Sequence, residues 1–589
     1  MIKKLFARQG FRFLFVGGLN TLVGYGVYAI LLFLHFNYLV ANSISTVIGV
    51  LHSYLWNRFF TFKSKEKAGK EFMKFISVYV VSYLMGMVSL YCFTGVLHLS
   101  PYIAGLINLV ITTLISYFGH KYFSFNHERK LNFLTKKYRK NPKLFLLWCL
   151  FFLIFAFVFL NFLFGDLLIT TNASIIFDKL FFKGDLINLY AASYHPYEAG
   201  MFAGTNITYD FPIYIFFGLW NLPLYIYSLF SKVSWELSFL NILYAKTFLL
   251  VLVFFCLLVM KKILVLFHLE KESSMYNFLF LSSCLVIMVI GMFGGYEILS
   301  ILFTLLGIYY YLKDDLKKFT FFFAIAISLK LFALLIFIPL LLLKEKKVWK
   351  IILYGLGAIS LLALAKIIYH NAPMYMESMT SFEDNMFAKL SLSYIVSPFG
   401  NISIFVFLYA LVCIWCYSKK IFDHNLQNLY TLYIPLVIFG FFTVFCQIHP
   451  QWIILLAPYL IFFLIYNKEN RKLNLFLEIG FSVTNLLLFY QVYTWVFCPS
   501  LMNSMLINTF IPPHNNITGL PILERINLGQ FNAIIGGIMV ACFLYFLYLN
   551  KPEKLQNQTK DEGWSYSVLL TRLLVIVPFV GIIVYYYFR

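Results

Sequence analysis

The decamer SYLWNRFFTF at residues 53–62 sets an Asn and an Arg among aromatic residues at the end of a long apolar run. The decamer SYFGHKYFSF at residues 116–125 nearly repeats it 63 positions later, with a polar residue, a cation, an aromatic residue, Phe, a hydroxyl and Phe in the same order. A second match, FRFLFVGG at 11–18 against FMKFISVY at 72–79, carries the likeness to the start of each copy. The front of the chain therefore reads as a duplication. Each copy comprises a start, two apolar spans and an aromatic-basic ending. Copies that begin and end on one side are parallel repeats, which bundle about an axis along the membrane normal.

The rest of the chain has the same apolar character. Of its 589 residues, 61% are hydrophobic and only 12% charged, which excludes an ordinary soluble enzyme and indicates an all-α polytopic membrane protein. Apolar runs of roughly 18 to 25 residues recur from end to end, the length a helix needs to cross ~30 Å of hydrocarbon. The formal charge of +21 sits in short clusters between these runs. It orients the chain in a membrane and does not indicate nucleic acid. The nine cysteines are scattered, and the CxxC of Cys413 and Cys416 lies inside an apolar segment without His or Cys partners, so no metal or redox centre is assigned.

With the N-terminus in the cytosol, the first spans fall near 11–34, 38–57, 72–97, 101–120 and 144–165, and the basic loops 58–74 and 121–143 lie inside, as the positive-inside rule requires. The segment at 211–230 reads as a broken, half-inserted element interrupted at GLWNLP, because a full span there would place Lys261 and Lys262 outside. Two short helices meeting near Lys330 keep the basic clusters on both sides of FTFFFAIAISLKLFALLIFIPLLLLK inside. Later spans follow near 350–369, 401–418, 429–446, 452–466, 473–495, 531–549 and 567–587. The three long external segments, 166–210, 370–400 and 497–530, then hold only Lys179, Lys183, Lys389 and Arg525 of the 46 basic residues. The same segments contain Asp166, Asp178, Asp185, Glu198, Asp210, Glu377, Glu383 and Asp384.

In the front unit, Asn57 with Arg58 and His120 with Lys121 lie at the inner mouth of a four-helix bundle, and Asn20 enters the membrane with the first span. Read alone, Arg58 or Lys121 is a snorkelling anchor in an aromatic belt. Paired with polar neighbours in both copies, they suit a phosphate at the headgroup level. The series FLFVGGLNT, SYLWNRFFTF and SYFGHKYFSF resembles the GtrA-like family of small four-helix membrane proteins, over residues 8–126. That resemblance implies movement of polyprenyl-phosphate-linked sugars across a bilayer. It also implies contact of Asn20, Asn57 and Arg58, and less directly Gly119, His120 and Lys121, with the lipid phosphate or its sugar.

Behind a basic cytosolic linker at 131–143, the remainder, 144–589, sends Asp166 out in FGDLLITTNAS, then FKGDLINLY, then TYDFP with Asp210. Acids along one external loop can surround a polar acceptor. The turn FGGYE with Tyr296 and Glu297, the lysine Lys330 deep in apolar sequence, and IHPQW with His449 and Gln451 face the same side, as donor-binding groups or as ordinary polar turns. The order of these motifs resembles the GT-C superfamily of membrane glycosyltransferases, in the bacterial branch that uses polyprenyl-phosphate sugars, over roughly 144–470 and about 13 membrane helices. In that family an acid of the first external loop is the base, which implies Asp166 as catalytic base with Asp210 as second candidate. No cofactor is indicated; no second acid stands beside Asp166, and a divalent metal is unassigned.

The expected activity is transfer of a hexosyl or pentosyl group from a polyprenyl-phosphate donor to a cell-surface glycan or glycopolymer, in polysaccharide or cell-wall biosynthesis at the outer face of a bacterial plasma membrane. The alternative is a lipid-linked sugar flippase or transporter without transferase activity.

Overall fold

The computed structural model describes residues 9–33, 38–62, parts of 71–82, 112–124, 142–192 without 164–165, 209–230, 239–379, 389–492 without 391 and 399, and 528–588 without 557 and 559, with residues 496 and 502 isolated. The chain divides into two compact units, residues 1–145 and 146–589. The linker segment 131–141 and most of the third and fourth spans expected from sequence lie outside the described residues.

In the first unit, α1 (Gln9–Phe33) packs on α2 (Tyr38–Trp56). The two decamers that define the duplication end in the same uncommon geometry. Asn57–Thr61 and His120–Ser124 are both π-helical turns, at positions that the 63-residue offset superimposes. Such wide turns are rare and cluster at functional sites. The beginnings and ends of the copies meet in one aromatic cluster. Phe13 contacts Phe62, Tyr117 and His120, and the His120 ring stacks on Phe75 at 4.2 Å. Start and finish of each copy therefore share one end of the unit, as parallel repeats require.

In the second unit the chain runs back and forth between two ends. The helix α3 (Pro142–Asn161) is followed by α4 (Asp166–Lys183) and α5 (Pro212–Phe230), and then α6 (Phe239–Leu266) returns. Lys246, in the first turns of α6, donates to the carbonyls of Phe159 and Phe162 where α3 finishes, so α3 and α6 are antiparallel. The end where α3 finishes is called here the site end. From the opposite end, where Trp148 meets Phe278, α7 (Ser273–Leu281) and the helical stretch 284–293 climb back as a pair bent by 54°. The third carbonyl bound by Lys246, that of Gly291, lies in this stretch.

The helix α8 (Glu297–Leu312) leaves the site end, α9 (Leu316–Leu329) returns to it, and α10 (Phe332–Lys344) leaves again. Ser300 donates to the Ala326 carbonyl near one end and Tyr311 to the Leu340 carbonyl near the other, which fixes this alternation. Two short helices do meet at Lys330, whose backbone is extended (φ −155°, ψ 121°). There follow α11 (Val348–Tyr369), a hairpin of β1 (Tyr394–Ser397) and β2 (Gly400–Ser403), and then α12 (Ile404–Ser418), α13 (His424–Phe445), α14 (Ala457–Tyr466), α15 (Arg471–Val492), α16 (Asn532–Leu549), α17 (Tyr566–Leu574) and α18 (Ile576–Phe588). Among the described residues eight helices are long and apolar enough to cross a membrane, nine if the bent pair counts as one span. The chain is an integral membrane protein built of helices.

One expectation is corrected. The stretch 212–230 is not broken at GLWNLP but forms the continuous α5, with Pro223 inside it. Proline removes a backbone donor and crowds the preceding turn, and side chains of neighbouring helices tie down the residues just before it. Tyr244 donates its hydroxyl to the Trp220 carbonyl, Trp220 donates its indole N–H to the Tyr244 carbonyl, and Asn221 donates to Ser174 Oγ at 2.7 Å. The aromatic contacts of α5 with α6 fall on Tyr244 and Phe248, near the start of α6. Thus α5 stays at the site end instead of descending beside α6. The residues that look like a break are those that pin the helix to its neighbours.

Away from the site end, Arg572 donates to both Glu478 oxygens, to Ser282 Oγ and to the Leu279 carbonyl at the bend of the α7 pair. Among the described glycines the tightest surroundings are those of Gly440 in α13, where a Cβ would stand 1.6 Å from Cζ of the buried Phe543 in α16. Gly440→Ala is expected to cost about 1–3 kcal/mol by overpacking. Pairing it with Phe543→Leu is expected to recover most of that loss, read as the unfolding midpoint of purified protein in detergent.

Candidate functional site

Several segments of the second unit meet at the site end. The turn between the stretch 284–293 and α8 is its floor. Gly294 closes that stretch in the left-handed region (φ 65°), and a Cβ there would stand 2.7 Å from Leu167 Cβ. Only glycine combines that backbone with so close an approach. A Cβ on Gly295 would likewise meet a Glu297 oxygen at 2.9 Å and Gln451 Cβ at 3.2 Å. The FGGYE turn therefore touches the start of α4, next to Asp166, on one side and the HPQW segment on the other. The Asp166 side chain lies outside the described residues; its backbone opens α4.

Lys330 sits at the centre. Its Nζ is 3.3 Å from Glu297 Oε1, and both side chains are buried. Among the described residues no hydrogen bond is aligned on either Glu297 oxygen, so the pair is held by charge and enclosure. The ammonium also lies 4.5 Å from the ring of Tyr209 and 4.6 Å from that of Tyr296, with Phe332 and Trp452 farther out at 5.9 Å. These faces are a suitable lining for a desolvated cation. Tyr209 packs edge-on against Tyr296 at 4.9 Å, which brings Asp210 to the same place. Asp210 accepts a hydrogen bond from Tyr375 (3.2 Å), and Tyr190 donates to the Tyr209 carbonyl.

Next to Trp452, Lys389 Nζ lies 2.7 Å from His449 Nε2 and 5.6 Å from the Trp452 ring, and the His449 ring is 4.8 Å from it. A lysine that donates to Nε2 requires neutral imidazole. Burial, with Lys389 and Lys330 nearby, lowers the His449 pKa from its ordinary 6.5 to about 3, and burial also lowers that of Lys389. Gln451 is buried against the FGGYE turn. The structure thus gathers Asp210, Tyr296, Glu297, Lys330, His449 and Gln451, with the backbone beside Asp166. Sequence reading missed Lys389 and Lys246. Lys246 is fully buried and donates to the carbonyls of Phe159, Phe162 and Gly291, so it ties the end of α3 to the stretch that leads into the turn. Among the described residues no three His, Cys, Asp or Glu side chains are grouped as a metal ion would require.

In the first unit, Arg58 Nη1 donates to Tyr54 OH at 2.6 Å and lies 3.4 Å from Glu71, a buried acid that Tyr54 also reaches. Sequence reading missed Glu71 as well. Asn57 is turned inward, donating to the Ser53 carbonyl and hydroxyl, and Ser53 bonds Tyr79. His120 is buried on Phe75 with Nδ1 against Ser124, Lys121 lies over the Tyr117 ring, and Asn20 meets His52 at 3.3 Å. The cationic pair of the two copies is thus built unequally. Arg58 carries a built-in counter-ion.

Residues 12–125 match the family model described as GtrA/DPMS, transmembrane domain. Over 83 residues the chain is 40% identical to the uncharacterized membrane protein YngA of Bacillus subtilis (strain 168), a stretch covering 14% of this chain and 56% of that protein. The chain therefore spans little more than half the length of that relative. No solved structure matches the chain.

The depressed His449 pKa sets a pH prediction. An unfolded His binds a proton below about 6.5 and the folded one only near 3, so stability falls as pH drops through that window. His449→Gln is expected to flatten the acid limb of an unfolding-midpoint profile between these values while leaving the profile above pH 7 in place.

Proposed function

We propose that the chain is a membrane glycosyltransferase that moves a sugar from a polyprenyl-phosphate donor to a cell-surface acceptor, with its front unit translocating or presenting the lipid-linked sugar. The observation that carries this reading is the meeting of cations and carboxylates at the site end. Lys330, Lys389 and His449 lie about the Trp452 ring, and Lys330 also pairs with Glu297 and lies over the ring of Tyr209, the neighbour of Asp210. Cationic and neutral donors suit a phosphate, and carboxylates suit a hydroxyl that must lose a proton. The GtrA/DPMS domain at residues 12–125 supports the donor class.

In the proposed reaction a carboxylate, Asp166 first and Asp210 second, takes the acceptor hydroxyl proton as that oxygen attacks the anomeric carbon. The bond from that carbon to the phosphate oxygen breaks, and its electron pair leaves with the phosphate. Lys330 and Lys389, with Gln451 and His449 as neutral partners, stabilise the charge that develops there. Glu297 holds Lys330 in place. The site end would face outward in a bacterial plasma membrane, with the N-terminus in the cytosol. Asn20, Asn57, Arg58, His120 and Lys121 would receive the lipid-linked sugar in the front unit, where an incoming phosphate competes with Glu71 for Arg58.

The test incubates the purified full chain with a polyprenyl-phosphate sugar and envelope acceptor and follows free polyprenyl phosphate. Wild-type protein is expected to release it with formation of glycosylated product. Asp166→Asn is expected to lose on the order of 100-fold or more in rate, the usual worth of a general base, and Lys389→Met to raise the donor concentration needed. Passage of the donor across liposomes without any release would instead establish the flippase reading.

A further inference from the structure

Between α12 and α13 lies a cavity of about 690 Å³, which runs from the end of the second unit opposite the candidate site up to Phe441. Its upper wall is apolar, with Leu408 and Val412 from α12 and Val437 and Phe441 from α13. Its lower rim is charged: Lys419 just beyond α12, and Lys551 with Glu553 beyond α16. Glu553 accepts a short hydrogen bond from Tyr430 and lies 3.8 Å from Lys551. Two ammonium groups thus face one carboxylate that is already engaged, and the rim keeps a surplus positive charge. The cavity residues Leu411 and Ile414 are exposed, as are Val406 and Phe407 beside them on α12, so the apolar wall continues onto a face suited to hydrocarbon.

An apolar slot of ligand size with a cationic mouth at one end of a membrane helix pair has the layout of a single amphiphile. We propose that this cavity binds an anionic lipid, with its chain between α12 and α13 and its phosphate at Lys419 and Lys551. The volume suits part of one chain and excludes a folded partner. The exposed lysines sit where a headgroup would end, because Lys419 directly follows the apolar helix. The Tyr430–Glu553 bond holds the acid at the rim wall. Its charged mouth lies at the end of α12, away from the candidate transfer site, while its apolar end reaches Phe441, next to the Phe442 that packs on Trp452.

Dodecyl phosphate serves as the probe, measured by equilibrium binding to delipidated full-length protein, with dodecanol and inorganic phosphate as comparators. Lys419→Glu combined with Lys551→Glu is expected to weaken dodecyl phosphate at least about tenfold and to leave dodecanol unchanged. The Lys419→Arg/Lys551→Arg protein should bind as wild type. Val412→Trp is expected to weaken both amphiphiles without altering the unfolding midpoint. Unchanged dodecyl phosphate binding in the charge-reversed and Val412→Trp proteins would overturn the proposal. So would inorganic phosphate competing as well as dodecyl phosphate, which would mark a free-phosphate site.

Discussion

The second unit is organised around the buried ion pair of Lys330 and Glu297. Neither charge is tolerable alone in an apolar interior, where desolvation costs several kcal/mol per ion. Together they join the turn that opens α8 to the point where α9 stops and α10 begins. That constraint explains why two helices of 14 and 13 residues stand where one long span would otherwise run. The tyrosine rings of Tyr209 and Tyr296 complete the enclosure, and Tyr209 carries Asp210 with it. One pair therefore fixes a floor, an acid and a cation at the same end of the unit.

The same device recurs in the front unit. Arg58 is balanced by Glu71 and lies near the Tyr54 ring, as Lys330 is balanced by Glu297 between tyrosines. In each unit a cation that the sequence displays as a lone charge in apolar surroundings is held at low cost by an acid from elsewhere in the chain. An arriving phosphate would then meet a preorganised donor and would only have to displace or join a carboxylate. In the second copy of the front duplication His120 is stacked on Phe75 and buried, at the position where Asn57 turns back on its own helix. The duplication has kept its backbone and diverged in its chemistry.

What was legible in the sequence was local. The 63-residue offset placed the two endings in register, and both proved to be π-turns. Charge on either side of Lys330 announced the meeting of two short helices. Partners distant in sequence were not legible. Lys246 reaches carbonyls 84 and 87 residues away, and Lys389 reaches a histidine 60 residues away, with no pattern to announce either. The error at GLWNLP has the same origin. Proline and asparagine read as a break because the hydroxyls of Tyr244 and Ser174, which anchor the helix, lie on other helices.

A double-mutant cycle on Lys330 and Glu297, with unfolding free energy and donor binding read on the same preparations, tests the organising pair most directly. Each single change, Lys330→Met or Glu297→Leu, should cost about 3–5 kcal/mol by stranding a buried charge. Lys330→Met with Glu297→Leu should recover much of that stability while donor binding stays lost. Single costs that simply add in the double variant would contradict the pair as the element on which the site is built.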